Sequence, residues 1–435
     1  MKSLKYILLS LLGILMFSCE AELEEFEPKA GSADFSVFVT LGNSLTAGFA
    51  DGALYKSAQE VSAASILAGQ LEWVGGGTFR QPLMIDDYGL GGRRILGFAT
   101  NCLGVTELGP IMYPGTFDPG NMASIAAEGP YQNLGVPGAK VSHLLAPGYG
   151  SLNPYFGRFA TDPATNSILQ YAMEQVPTFF TLWIGANDAL GYALKGGENP
   201  DPTQTEPITD VGEFTTYYTM LVDNLTANGA KGLLVNLGDI TSIPFFNTVP
   251  YNALALTDQT LVDMLNAAYA TLGFTFQLGP NPLIIQDLNH PAGMRQATAK
   301  DKILLSIPQD SIRCAGWGSL KPVPHNYVLD ELEVNNVRNA INAYNLAIEA
   351  AANNNGLAYA DMNAALRDAE SGLLFDGVNF STTFVTGGIF SLDGVHLNGK
   401  GNAIVANYFI EAINAEYGAT IPKVVVNDYP GVLFP

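Results

Sequence analysis

Three apolar runs, each ending in glycine and then small or polar residues, constrain the fold more than any other feature of this chain. Phe35 to Leu41 leads into Gly42-Asn43-Ser44-Leu45, Thr178 to Ile184 into Gly185-Ala186-Asn187-Asp188, and Gly232 to Leu237 into Gly238-Asp239. Runs this short with little polar alternation suit strands buried on both faces, which is the condition of a parallel sheet covered by helices. Between and after them lie helical patterns. One covers about Glu213 to Ala227. Another places Val334, Val337, Ile341, Tyr344 and Ile348 three or four residues apart, a core-facing stripe. Asn353 to Gly356 ends that helix, and Leu357 to Asp361 reads as the next strand. A last helix spans about Gly401 to Tyr417, with Ile404, Phe409, Ile410 and Ile413 inward. Strands alternating with helices predict an α/β fold with a central parallel sheet and helices on both faces.

Two stretches interrupt the alternation. From about 60 to 130 and from about 240 to 334 the chain lacks sustained periodicity, and 46 Gly and 25 Pro across the sequence point to many turns. We read residues 34–435 as one domain carrying two large insertions. No internal repeat or low-complexity tract is present.

The amino terminus reads differently. Lys2 and Lys5 precede an apolar run, Tyr6 to Phe17, too short to span a bilayer comfortably and laid out like a secretory signal. It ends in Met16-Phe17-Ser18-Cys19, which resembles the lipobox of bacterial lipoproteins, with residues 1–18 removed and Cys19 lipidated. The segment 19–33 holds Glu20, Glu22, Glu24, Glu25 and Glu27 and reads as a solvated tether. It also resembles the acidic stretch after the lipidated cysteine in surface lipoproteins of Bacteroidetes. The expected location is therefore outside the cytoplasm, on the outer membrane, at its periplasmic or cell-surface face. A formal net charge of -21 makes nucleic acid and anionic lipid headgroups poor partners, so membrane contact is expected only through the anchor. Cys102 and Cys314 either pair in an oxidising compartment or stay separate thiols. Four His and no Cys-x-x-Cys pair give no support for a structural zinc site, and no cofactor is implied.

Ser44 directly follows a buried strand. It is either a nucleophile at the carboxyl edge of a sheet, where ligands collect, or an N-cap serine opening a helix. A serine nucleophile needs a base to take its proton. Of His143, His290, His325 and His396, the last lies ahead of the final helix with Asp393 three residues earlier, able to orient the ring, whereas His290 sits before Pro291 in a loop, His325 follows a Pro-rich stretch and His143 lies near the Gly135 turn. Donors for an oxyanion are offered by the backbone N–H of Ser44, the backbone N–H of Gly135 and the side-chain amide of Asn187.

Gly-Asn-Ser-Leu at 42–45, Gly135 within Asn133-Leu134-Gly135-Val136-Pro137-Gly138, Gly-x-Asn-Asp at 185–188 and Asp-x-x-His at 393–396 occur in that order. The set resembles the SGNH hydrolases, also called GDSL esterases and lipases. That resemblance implies a flavodoxin-like three-layer α/β/α sandwich. It implies Ser44 as nucleophile, Gly135 and Asn187 with Ser44 as oxyanion donors, His396 as base and Asp393 as its orienting acid. The family's usual Gly-Asp-Ser-Leu is Gly-Asn-Ser-Leu here, so Asn43 alters the local turn chemistry rather than the base. The expected activity is hydrolysis of a carboxylic ester, on an acetylated glycan or an acyl lipid. The alternative is a non-catalytic glycan- or lipid-binding lipoprotein on the same fold. Oligomeric state is open.

Overall fold

The computed structural model describes residues 27–199, 203 and 205–435. The expected signal segment, Cys19 and most of the acidic tether lie outside the described residues. Five strands form the central sheet: Phe38–Gly42 (β1), Asn133–Gly135 (β2), Phe179–Trp183 (β3), Lys231–Val235 (β4) and Ala358–Ala360 (β5). They lie in the order β2-β1-β3-β4-β5, and every neighbouring pair is parallel. Every residue of β1 and β3 is buried, so both faces of the sheet are covered, as the unbroken apolar runs require.

Three of the covering helices, Val211–Thr226 (α4), Glu331–Asn355 (α5) and Gly399–Tyr417 (α6), are those the periodicity indicates. Helices α4 and α5 pack together, and α5 also meets Asn187–Leu194 (α3). The α5 stripe Val334, Val337, Ile341, Tyr344 and Ile348 is buried. This helix starts at a reciprocal cap, Asp330 and Glu333 each accepting the other's backbone N–H, and stops at Gly356 in a left-handed conformation. Helix α6 packs on β5 and against a helix at Ala63–Leu71 (α2).

Helix α2 falls inside the stretch read as the first insertion, yet Ala63, Ile66, Leu67, Ala68 and Leu71 belong to the main core. Its alanines bury a face without adding much apolar contrast, which is why its periodicity is faint in the sequence. The irregular stretch begins after it, and it includes an antiparallel hairpin of Arg94–Thr100 with Thr106–Met112. The second irregular stretch has a core of its own, built by residues such as Leu256, Leu265, Leu283, Ile285, Ile303 and Val323. A Cys102–Cys314 disulfide ties the hairpin loop to that second stretch. Pairing thus holds for the two cysteines that the sequence left open.

Strand order 2-1-3-4-5 reverses direction between β1 and β3. Loops leaving these two strands diverge and leave a crevice at the carboxyl edge, the place where ligands bind in such sheets. Ser44 follows β1 and Asn187 follows β3, so both open onto that crevice.

Candidate active site

Beyond β1 the chain turns at once into a short helix, Ser44–Ala47 (α1). Its N-cap is Asn43, whose Oδ1 accepts the Leu45 N–H at 3.0 Å. Asn caps as well as Asp, so the departure from Gly-Asp-Ser-Leu keeps the cap. It also separates the two roles proposed for Ser44: the capping is done one residue earlier, and the Ser44 hydroxyl is left for chemistry. Ser44 Oγ lies 2.8 Å from His396 Nε2, and the residue is only 8% exposed.

His396 comes from the loop before α6. Its Nδ1 meets Asp393 Oδ2 at 2.8 Å, which fixes the tautomer that leaves Nε2 free to accept the serine proton. Asp393 is nearly enclosed. Its Oδ1 accepts the backbone N–H groups of Val395 and His396 and the Ser391 hydroxyl, and its Oδ2 also accepts the Gly52 N–H. Burial alone would raise its pKa. The His396 ring and these hydrogen bonds more than offset that and hold the carboxyl well below the usual carboxylate range.

The loop is clasped from outside by residues absent from the sequence reading. Asp51 N–H donates to Ser391 Oγ, and Asp51 Oδ1 accepts the Leu392 N–H at 2.8 Å. Tyr55 donates its hydroxyl to Asp51 Oδ2, and the Arg93 guanidinium lies 3.9 Å from the centre of the Tyr55 ring. Phe49 packs on the His396 ring at 4.7 Å between centroids. From the second irregular stretch, Phe245 N–H donates to the Gly394 carbonyl. The only sequence hint of the clasp is an acid, Asp51, followed by Gly52 a few residues past the nucleophile.

The three donors named for an oxyanion differ in what they already bond. The Gly135 N–H is already donated to Asn133 Oδ1 at 3.0 Å, and Gly135 sits within the sheet, paired with Gly42. A Cβ there would lie 2.3 Å from the Ala47 N, so this glycine lets α1 pack on β2. Three residues further on, Gly138 has φ +80° and an open side, and its N–H donates to nothing among the described residues. Pro137 before it carries no N–H, which makes Gly138 the first free donor after β2 past Val136, whose N–H is paired with Gly42. Asn187 Nδ2 donates to the carbonyl of Ala139, the residue after Gly138, at 2.9 Å, which leaves its second amide hydrogen available. The Ser44 N–H, at the first turn of α1, is also unpaired among the described residues. Asn187→Ala is expected to lower kcat for a short ester by about 10²- to 10³-fold with KM little changed. An unaltered kcat would remove Asn187 from the oxyanion site.

Asp188, next to Asn187, is fully buried and fastens the Gly138 loop. Its Oδ2 accepts the Val141 N–H and its Oδ1 accepts the Thr209 hydroxyl. Burial, only partly countered by these bonds, raises its pKa from 3.8 to about 6. Between those values the folded protein holds a proton that the unfolded chain releases, so this residue's contribution to stability falls as pH rises through the window. The stability of the native protein relative to Asp188→Asn, from urea unfolding, is expected to decline between about pH 4 and pH 6. A flat difference would contradict it.

Ser44, Asn187 and His396 line one cleft, with Asp393 behind the imidazole. The other histidines are elsewhere. His143 Nδ1 accepts the Lys140 N–H and its ring stacks on Tyr149, and His290 Nδ1 accepts the Ala292 N–H. His325 belongs to a short helical turn within the second irregular stretch.

A serine, imidazole and carboxylate in series at the switch point of a parallel sheet, with unpaired donors beside the serine, are the parts of a serine hydrolase. The chain belongs to the GDSL-like lipase/acylhydrolase family, whose model matches residues 38–409. No curated protein matches the sequence. Among solved structures the chain is similar to a mutant acetyl-xylooligosaccharide esterase from Geobacillus Stearmophilus, at 12% identity and a TM-score of 0.36, over 88% of this chain and 97% of that one. It is also similar to an alpha/beta hydrolase enzyme from the metagenome of Lake Arreo, at 12% identity and a TM-score of 0.35, over 88% and 97% respectively.

Proposed function

We propose that the protein hydrolyses carboxylic esters through a covalent acyl-enzyme on Ser44. The observation that carries this is the unbroken series Asp393 Oδ2, His396 Nδ1, His396 Nε2, Ser44 Oγ, each contact 2.8 Å. His396 Nε2 takes the Ser44 proton as Oγ attacks the ester carbon. The oxyanion so formed faces the Ser44 and Gly138 N–H groups and the Asn187 amide. Its collapse breaks the bond to the alcohol oxygen, which leaves with the proton from His396. A water then gives its proton to His396 and attacks the acyl-enzyme, and the acid departs as Ser44 is reprotonated. Asp393 stabilises the imidazolium in both halves.

A pure binding protein has no use for the whole series. A fluorophosphonate probe is expected to label the protein at one serine, Ser44, identified by peptide mapping, and short p-nitrophenyl esters are expected to be turned over. No labelling together with no turnover would overturn the reading.

For location, we propose export with a lipid anchor at Cys19 on the outer membrane. The Cys102–Cys314 disulfide supports an oxidising compartment. Among the described residues no helix is long and apolar enough to cross a membrane.

A further inference from the structure

The loop that carries Asp393 and His396 is itself a closed turn. Phe390 and Leu397 pair at its base, and the Ser391 N–H donates to the His396 carbonyl at 2.8 Å. Those bonds set the loop's shape. Its position relative to Ser44, 352 residues before His396, depends on what grips it. One grip is the turn Ala50-Asp51-Gly52-Ala53, which follows closely on the nucleophile's own helix. Ala50 and Ala53 exchange both backbone hydrogen bonds, at 3.0 and 2.9 Å, and the two residues between them have φ of +54° and +84°. A two-residue turn with positive φ at both central positions is type I′, for which Asp-Gly is a preferred pair.

This turn reaches three consecutive residues of the loop. The Asp51 N–H donates to Ser391 Oγ at 2.9 Å, Asp51 Oδ1 accepts the Leu392 N–H at 2.8 Å, and the Gly52 N–H donates to Asp393 Oδ2 at 2.9 Å. The Ser391 hydroxyl passes the grip on by donating to Asp393 Oδ1 at 3.1 Å. Both oxygens of Asp393 are thereby referred to a segment that begins only a few residues after Ser44. Turn chemistry alone does not call for the Asp51 side chain, since Asn or Gly suits the same position. A carboxylate there is costly: burial raises its pKa, and the like charge of Asp393 adds to the effect. It is held nonetheless. Tyr55 donates to its Oδ2 at 2.6 Å, and the Arg93 guanidinium packs on the rings of Tyr55 and Tyr113, 3.9 and 4.3 Å from their centres. What the carboxylate provides is an acceptor for Leu392, the loop N–H that Asp393 does not take itself.

We propose that Asp51 is a positioning residue of the active site: its carboxylate, held by Tyr55, fixes Ser391 to Asp393 so that Asp393 keeps His396 Nε2 aligned with Ser44 Oγ. The proposal rests on the esterase reading above and adds to its machinery a residue that touches neither substrate nor the reacting atoms. Two replacements separate the carboxylate from the turn. Asp51→Gly suits positive φ and keeps both backbone donors, but removes the acceptor for Leu392. Asp51→Asn keeps that acceptor, and its amide can donate to the Tyr55 hydroxyl oxygen where the carboxylate accepted from it.

The test is turnover of p-nitrophenyl acetate by the full protein and its variants, each assayed well below its melting temperature. Asp51→Gly is expected to lower kcat by about 10- to 100-fold with KM little changed, and Asp51→Asn to recover most of that loss. A wild-type kcat in Asp51→Gly would overturn the proposal, and so would equal losses in the two variants, which would make charge rather than position the cause. Tyr55→Phe leaves Asp51 Oδ2 unheld and tests the same grip if Asp51→Gly does not fold: kcat is expected to drop severalfold, and no drop would overturn the proposal. A second readout does not depend on ester chemistry. The proton between His396 Nδ1 and Asp393 gives a far-downfield resonance in NMR of histidine-labelled protein, expected in the wild type and Asp51→Asn and lost to solvent exchange in Asp51→Gly. Its absence from the wild type, or its persistence in Asp51→Gly, would overturn the positioning role. No turnover of any ester by the wild type would instead sink the esterase reading, with the resonance still deciding whether Asp51 holds the pair.

Discussion

Replacing Ser44 by Ala is expected to lower kcat on a p-nitrophenyl ester by about 10⁴-fold or more, and to do so without unfolding the protein. The hydroxyl has one partner, His396 Nε2, so its loss leaves no buried network unsatisfied elsewhere. The helix it opens is capped by Asn43 rather than by the serine, and alanine suits a helical position. What remains is the oxyanion site, which binds ester but has nothing with which to attack it. The paired measurement is a thermal melt. A collapse of activity with the melting temperature held within a few degrees identifies the nucleophile. Substantial turnover by a well-folded Ser44→Ala would place the chemistry elsewhere. His396→Ala is expected to match it closely, because the two side chains act as one unit and their losses do not add.

Asp393→Asn carries the second largest effect, about 10⁴-fold in kcat. The carboxylate is surrounded by donors alone: Gly52, Val395 and His396 N–H, the Ser391 hydroxyl and the His396 ring. An amide cannot accept from all of them. With its NH₂ toward the ring, it turns His396 into the tautomer whose Nε2 carries the hydrogen, and that nitrogen can no longer accept the serine proton. With its NH₂ reversed, it faces backbone N–H groups instead. Either way a buried donor goes unpaired, at a cost of about 1–3 kcal/mol in stability. The wild-type pH profile follows from the sign of the shift. Because the Asp393 carboxyl is held below its ordinary range, its stabilising contribution is complete above the unfolded-state value of a carboxylate and is lost as the pH falls toward the folded one. Asp393→Asn should lack that component of acid sensitivity, which acid unfolding followed by tryptophan fluorescence would show. Equal acid sensitivity in both proteins would contradict it.

The two variants probe positions of different legibility. Ser44, Asn187, Asp393 and His396 were readable because each lies in a short local motif at the end of a segment whose periodicity is strong. The Asp393–His396 contact spans three residues and needs no long-range information. Gly135 shows where local reading stops. Asn133-Leu134-Gly135-Val136-Pro137-Gly138 holds two glycines, and which one overshoots the sheet depends on the register that pairs Gly135 with Gly42. The Asp51 clasp was invisible for a similar reason, since Asp51 and Leu392 meet across 341 residues of chain. Helix α2 escaped notice because alanine buries well and signals weakly.

Ser44 entered as either a cap or a nucleophile, and Asn43 taking the cap is what separates them. The sequence by itself determined the alternation of buried strands and amphipathic helices, and with it the strand ends that carry Ser44 and Asn187 and the loop that carries Asp393 and His396. Apolar periodicity and short motifs act over a few residues, and burial rewards them in any compact arrangement. Tertiary structure decided which glycine is free to donate and that Cys102 meets Cys314. Those outcomes depend on strand register and on segments hundreds of residues apart closing on one another, and no local pattern encodes either.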